Sequence, residues 1–77
     1  MDINIIKENL KEYDCQLITT INYAGINFAK GLEAYDGKVL YRYFKILDNN
    51  EVKEITDKLL LQYFKKMNET NSDEIYS

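Results

Sequence analysis

Apolar and polar side chains alternate along residues 14–48, and the dipeptide Asp36-Gly37 divides the alternating stretch. A period of two predicts strands, and an Asp-Gly pair between two such runs predicts a hairpin. Residues 15–23 form a first strand, with Cys15, Leu17, Thr19, Ile21 and Tyr23 on one face. Ala24-Gly25 turns the chain into a second strand over residues 26–34. A two-residue turn there sets Ile21 opposite Phe28, Leu17 opposite Leu32 and Cys15 opposite Ala34, collecting one apolar face.

The next turn admits two registers. A two-residue loop at Asp36-Gly37 pairs Tyr35 with Lys38 and Phe28 with Lys45. A three-residue loop, Tyr35-Asp36-Gly37 with Gly37 left-handed, pairs Leu32 with Leu40, Phe28 with Phe44 and Ile26 with Ile46. The second aligns the large apolar side chains in rows and is the register expected here. It places Thr19, Lys30 and Arg42 in a polar row across that face. On the other face it leaves Tyr41 and Tyr43 over Gly31 and Ala29, an exposed aromatic surface if no helix covers it.

At both ends the period lengthens to that of a helix. Over residues 3–13, Ile3, Ile6, Leu10 and Tyr13 share one stripe, with Asp2 as the N-cap. After Ile46-Leu47, Asp48 and Glu51 fit a capping box. Val52, Ile55, Leu59, Tyr63 and Met67 make the inward stripe that follows, broadened by Leu60 and Phe64, with Leu61 off it. From Glu69 the periodicity is lost. The expected fold is α+β: helix, three-stranded antiparallel β-meander, helix (αβββα). One domain spans residues 1–68, and residues 69–77 form a flexible acidic tail.

Composition narrows the chemistry. A chain of 77 residues is one domain, and it buries only about 60–65% of its unfolded surface. With a single cysteine there is no internal disulfide, so a net stability of about 3–5 kcal/mol and a reducing, cytoplasmic setting are expected. Charged residues interrupt every apolar run, so neither a signal peptide nor a membrane span is expected. Ten basic residues against thirteen acidic ones give a net charge of −3, which argues against generic phosphate binding. The richness in Ile, Lys, Asn and Tyr is associated with a low-G+C bacterium or its phage.

No histidine is present, which removes the commonest general base and metal ligand. Cys15 lies on the predicted core face and reads as a packed thiol. The glycines are spaced as turn and strand positions rather than as a phosphate loop. Asn68-Glu69-Thr70 matches a glycosylation sequon by chance. No enzyme activity, cofactor or metal is expected. Lys30 and Arg42 read as snorkelled or ion-paired side chains at the core edge; the alternative is a DNA-binding module with Lys30, Arg42 and Lys45 on phosphates. Tyrosines are enriched in interface hot spots, which marks Tyr41 and Tyr43 as candidates for partner contact. A homodimer built on one face is a third reading.

The order of elements, the small size and the acidity, with the Met1-Asp2-Ile3-Asn4 opening, the Asp36-Gly37 turn and Asn50-Glu51-Val52 before Tyr63-Phe64-Lys65, resemble the small phage-encoded anti-CRISPR proteins. That resemblance implies a non-catalytic inhibitor that occludes a CRISPR effector nuclease, in part by acidic mimicry of nucleic acid. The C-terminal part that would carry the acidic cluster has Glu69, Asp73 and Glu74, with Glu33 and Asp36 nearer the sheet. The partner-binding set expected from both lines is therefore Glu33, Asp36, Tyr41, Tyr43, Glu69, Asp73 and Glu74, directed at a host protein.

Overall fold

In a computed structural model, the chain folds as α1 (Ile3–Lys11), β1 (Gln16–Tyr23), β2 (Ile26–Tyr35), β3 (Lys38–Ile46), β4 (Val52–Glu54) and α2 (Lys58–Tyr76). The structure describes the backbone of residues 1–76 and the side chains of residues 1–67. The fold is α+β: helix, three long antiparallel strands, helix, with β4 as a short fourth strand in the order β1-β2-β3-β4. No described helix is long and apolar enough to cross a membrane.

Local chemistry starts and stops each element. The Asp2 carboxylate accepts from the N–H groups of Asn4 and Ile5, satisfying donors the helix leaves unpaired. Asp14, left-handed at φ 58°, ends the turn after α1, and the Leu10 carbonyl accepts there from Tyr13 and Cys15. Asn50 then fastens the loop after β3 to α1: its side-chain oxygen accepts from Asp2 N–H, and its carbonyl accepts from the Asn9 side-chain amide.

The register of the second hairpin is the main departure from the sequence expectation. Tyr35 pairs with Lys38, Phe28 with Lys45 and Ala29 with Phe44, so the loop has two residues, not three. Asp36 and Gly37 both take positive φ, 50° and 75°, which gives the turn whose twist matches that of paired strands. Every side chain of β3 therefore lies on the face opposite to the expected one.

A second irregularity lies in β1. Tyr23 through Thr19 pair with Ile26 through Lys30, but Gln16 and Leu17 pair with Leu32 and Gly31. The extra residue at Ile18 is a bulge, and it changes the phase of the strand. Cys15 and Leu17 turn to one face of the sheet, while Ile21 stays on the other.

Both faces are consequently buried, each under one helix. Ile6 and Leu10 of α1 cover Cys15, Ala29, Phe44, Ile46 and Val52, with Tyr13 edge-on to Phe44 at 5.0 Å. On the opposite face Phe64 of α2 packs edge-on to Phe28 at 4.9 Å and stacks on Tyr43 at 5.4 Å. Burying one such aromatic side chain is worth about 1.5–3 kcal/mol, so these few rings hold α2 in place.

The capping box expected at Asp48 is not the start of the last helix. Val52–Glu54 extend the sheet by pairing with Ile46–Phe44, because Val52 and Ile46 complete the cluster under α1. The helix begins later, where the Asp57 carboxylate accepts from Leu59 and Leu60 N–H. This start sets the helical phase: Leu60, Leu61, Phe64 and Met67 face the sheet, while Leu59 is 77% exposed. Leu61 thus packs inward, contrary to expectation. The tail expected over residues 69–77 falls outside the described side chains.

Two substitutions test this packing. A Cβ on Gly31 would meet Cys15 Cβ at 3.1 Å and a Phe44 ring carbon at 3.2 Å. Gly31→Ala is therefore expected to cost about 1–3 kcal/mol in urea unfolding. The buried Tyr43 hydroxyl has no hydrogen-bond partner among the described residues. Tyr43→Phe should raise stability by about 1 kcal/mol, and a lower midpoint would show that the hydroxyl is satisfied after all.

Candidate functional site

The end of the β2–β3 hairpin outruns everything that packs on the sheet. β1 begins opposite Leu32, leaving Glu33, Ala34 and Tyr35 with no strand beside them on that side. β4 reaches no farther along β3 than Phe44. The clusters under the helices contain Phe28, Ala29, Tyr43 and Phe44, all at the other end of the hairpin. Beyond them Tyr35, Val39, Leu40 and Tyr41 are 76%, 57%, 59% and 45% exposed. Single exposed apolar residues are ordinary, but four at one hairpin end, Tyr35 and Leu40 on the α1 face and Val39 and Tyr41 on the α2 face, make a two-sided patch of the kind that marks protein contact.

The expected partner-binding residues divide around this patch. Asp36 sits in the exposed turn and Tyr41 lies on the patch, with the Lys30 ammonium 4.2 Å from its ring centre. Tyr43 does not reach the surface. The two-residue turn puts it under Phe64, where it is 1% exposed, and burial raises its hydroxyl pKa. Glu33 is half-buried and ion-paired. Glu69, Asp73 and Glu74 lie outside the described side chains. Tyr35, Val39 and Leu40 were not anticipated, because only the true register and the placement of both helices show that this end is bare.

Next to the patch, Arg42 ties together four segments of chain. Its Nε donates to Glu54 Oε2 at 2.8 Å and its Nη2 to Glu54 Oε1 at 2.5 Å, a two-pronged carboxylate pair. Nη1 donates to Glu33 Oε2 at 2.7 Å and to the Tyr13 carbonyl at 2.9 Å. The guanidinium carbon also lies 5.7 Å from the Tyr13 ring centre and 5.6 Å from that of Phe44. The hydrogen bonds that Arg42 donates to Glu54 hold the Arg42 pKa above its ordinary value. In return, the hydrogen bonds from Arg42 hold the Glu54 carboxyl below its usual range.

Arg42 is therefore on the α1 face, while Lys30 is on the α2 face, 7% exposed, with its pKa lowered by burial. The polar row of Thr19, Lys30 and Arg42 does not form. The two cations cannot present phosphate contacts together, since the sheet lies between them. Cys15 packs against Gly31 with its Sγ 3.8 Å from Arg42 Nη1, and burial raises its pKa, which keeps it a thiol. Among the described residues, no three metal-ligating side chains converge.

On the β1 side of the hairpin a groove of about 570 Å³ runs between α1 and the sheet edge. Leu17, Leu32 and Ala34 contribute apolar surface, and Lys7, Lys11 and Asp14 contribute charge. Compared with known proteins, the chain matches no family model, no curated protein and no solved structure.

The Arg42 pair predicts an acid-sensitive fold. A carboxyl whose folded pKa is depressed stabilises the protein above its unfolded pKa, and that stability is lost as pH falls through the folded value. Stability at neutral pH should thus be flat, then decline below the ordinary glutamate range near 4.5. In Glu54→Gln the protein should be weaker at neutral pH and the acid decline shallower, as read from urea midpoints across pH.

Proposed function

We propose that this chain is a non-catalytic, cytoplasmic binding protein that blocks a host protein by occluding one of its surfaces. The uncovered end of the β2–β3 hairpin carries this reading, because it presents four large apolar side chains to solvent. Tyr35 is the most exposed of them and stands beside the acidic turn residue Asp36, next to the groove under α1. An aromatic anchor with a polar rim is the usual composition of a protein-binding hot spot.

The order of helix, three main strands and helix, together with the net charge of −3, supports the likeness to the small phage-encoded anti-CRISPR proteins. On that basis the chain is encoded by a phage or mobile element, and its partner is a CRISPR effector nuclease. Binding that surface would combine steric occlusion with acidic mimicry through Asp36 and the acidic C-terminal residues Glu69, Asp73 and Glu74. Direct binding to nucleic acid is not part of this reading, since Arg42 is neutralised by two carboxylates.

The test is plasmid interference in a low-G+C host carrying an active CRISPR system. Expression of the chain should restore transformation, and the effector should be recovered with it in stoichiometric amount. Tyr35→Ala should leave the melting temperature unchanged and weaken capture by about tenfold or more, as for a hot-spot residue. Full immunity in the presence of the folded chain would exclude the CRISPR effector as its target.

A further inference from the structure

The two long edges of the sheet are not alike. Along β1 the bulge at Ile18 interrupts the line of backbone groups, a device that discourages pairing with another chain. Along β3 no bulge is present, and β4 covers only Phe44, Lys45 and Ile46. Ile55 N–H then donates to the Tyr43 carbonyl at 2.9 Å, and on this edge, opposite β2, residues Lys38 to Arg42 have no strand beside them among the described residues.

The turn fixes what that open edge offers. Tyr35 and Lys38 close a two-residue loop and so form a hydrogen-bonded pair. Bonding to β2 then falls on Lys38, Leu40 and Arg42, and the N–H and C=O of Val39 and Tyr41 point away from it. The outward carbonyl of Tyr43, which is in the same phase, confirms the alternation. Val39, Leu40 and Tyr41 on this edge are all exposed.

We propose that β3 pairs antiparallel with β3 of a second copy of this chain, about a two-fold axis at Leu40. Two four-stranded sheets then become one continuous sheet. In this register Val39 of each copy lies opposite Tyr41 of the other, and both residues present outward groups, so about four backbone hydrogen bonds form. Leu40 meets Leu40 on the α1 face, and Val39 meets the Tyr41 ring on the α2 face, a favourable pairing of β-branched and aromatic side chains.

Charge selects a second copy as the occupant. The same register sets Lys38 opposite Arg42 of the other copy. Arg42 carries one positive charge among the two carboxylates of Glu33 and Glu54, leaving a surplus negative charge. Glu54 pairs with Phe44 on the line that the incoming strand continues, two residues from the place of Lys38 and on the same face. Each copy thus supplies a cation to an anionic cluster of the other, as an isologous interface requires. In the dimer Val39, Leu40 and Tyr41 are taken up by the pairing, and Tyr35, Asp36 and the groove on the β2 side remain for the host contact.

Sedimentation equilibrium of the full chain tests the pairing by mass alone, whatever the host target proves to be. A reversible monomer–dimer equilibrium is expected. Val39→Pro removes an outward N–H without taking a bond from β2, and Lys38→Glu sets a carboxylate against the anionic cluster. Each should weaken the dimer by about tenfold or more. Lys38→Glu leaves every backbone bond in place, so an unchanged circular dichroism spectrum with loss of the dimer supports the proposal. A chain that stays monomeric up to its solubility limit overturns it, as does a dimer that both variants leave unchanged.

Discussion

Two consecutive residues with left-handed backbone, Asp36 and Gly37, determine which helix each side chain of β3 meets. Steric repulsion makes that conformation costly for most residues, and Gly and Asp are among the few that adopt it readily. Once the turn closes in two residues, the period of the strand does the rest. Phe44 and Arg42 fall under α1, Tyr43 falls under α2, and Tyr41 and Val39 extend past the reach of either cluster. A one-residue change in the loop would transpose all of these positions. The bare hairpin end, the buried Tyr43 and the Arg42 cluster are three results of one turn.

Burial on both faces also requires β1 to serve two helices, and it does so through the bulge at Ile18. A strand with strict alternation gives all its apolar residues to one face. Here the extra residue allows Cys15 and Leu17 to support α1 while Ile21 supports α2. Gly31 belongs to the same solution, because the Cys15 side chain closes over it without room for a Cβ. The groove beside α1 opens where β1 leaves the sheet, so the same local geometry that completes the core exposes the flank of the hairpin.

The α+β class, the Asp2 cap, the extents of the first three strands and the Ala24-Gly25 turn were legible in the sequence, because each depends on local period or local chemistry. The second register was not. Aligning Phe28 with Phe44 maximises apolar rows on one face, and that criterion fails for a sheet buried on both. Val52-Lys53-Glu54-Ile55 lacks the one-face alternation of a strand, because Val52 serves the cluster under α1 and Ile55 the cluster under α2, and the capping box at Asp48 offered a competing local signal. Only the contact of Val52 with the cluster under α1 decides for the strand. Tyr41 and Asp36 were legible as surface residues. Tyr43 was misplaced with the register, and Tyr35, Val39 and Leu40 depend on where the helices stop.

Tyr43 and Phe44 are adjacent in sequence, yet each is the central ring of a different core. One peptide unit of β3 therefore joins two packing clusters that share no other boundary than the sheet itself. If α2 leaves, Tyr43 loses its cover and the strand that presents Phe44 to α1 loosens with it; the converse holds for α1. In a chain this short neither cluster is large enough to persist alone. The two cores are thermodynamically a single cooperative unit, and the protein should melt in one transition in spite of its two layers of helix.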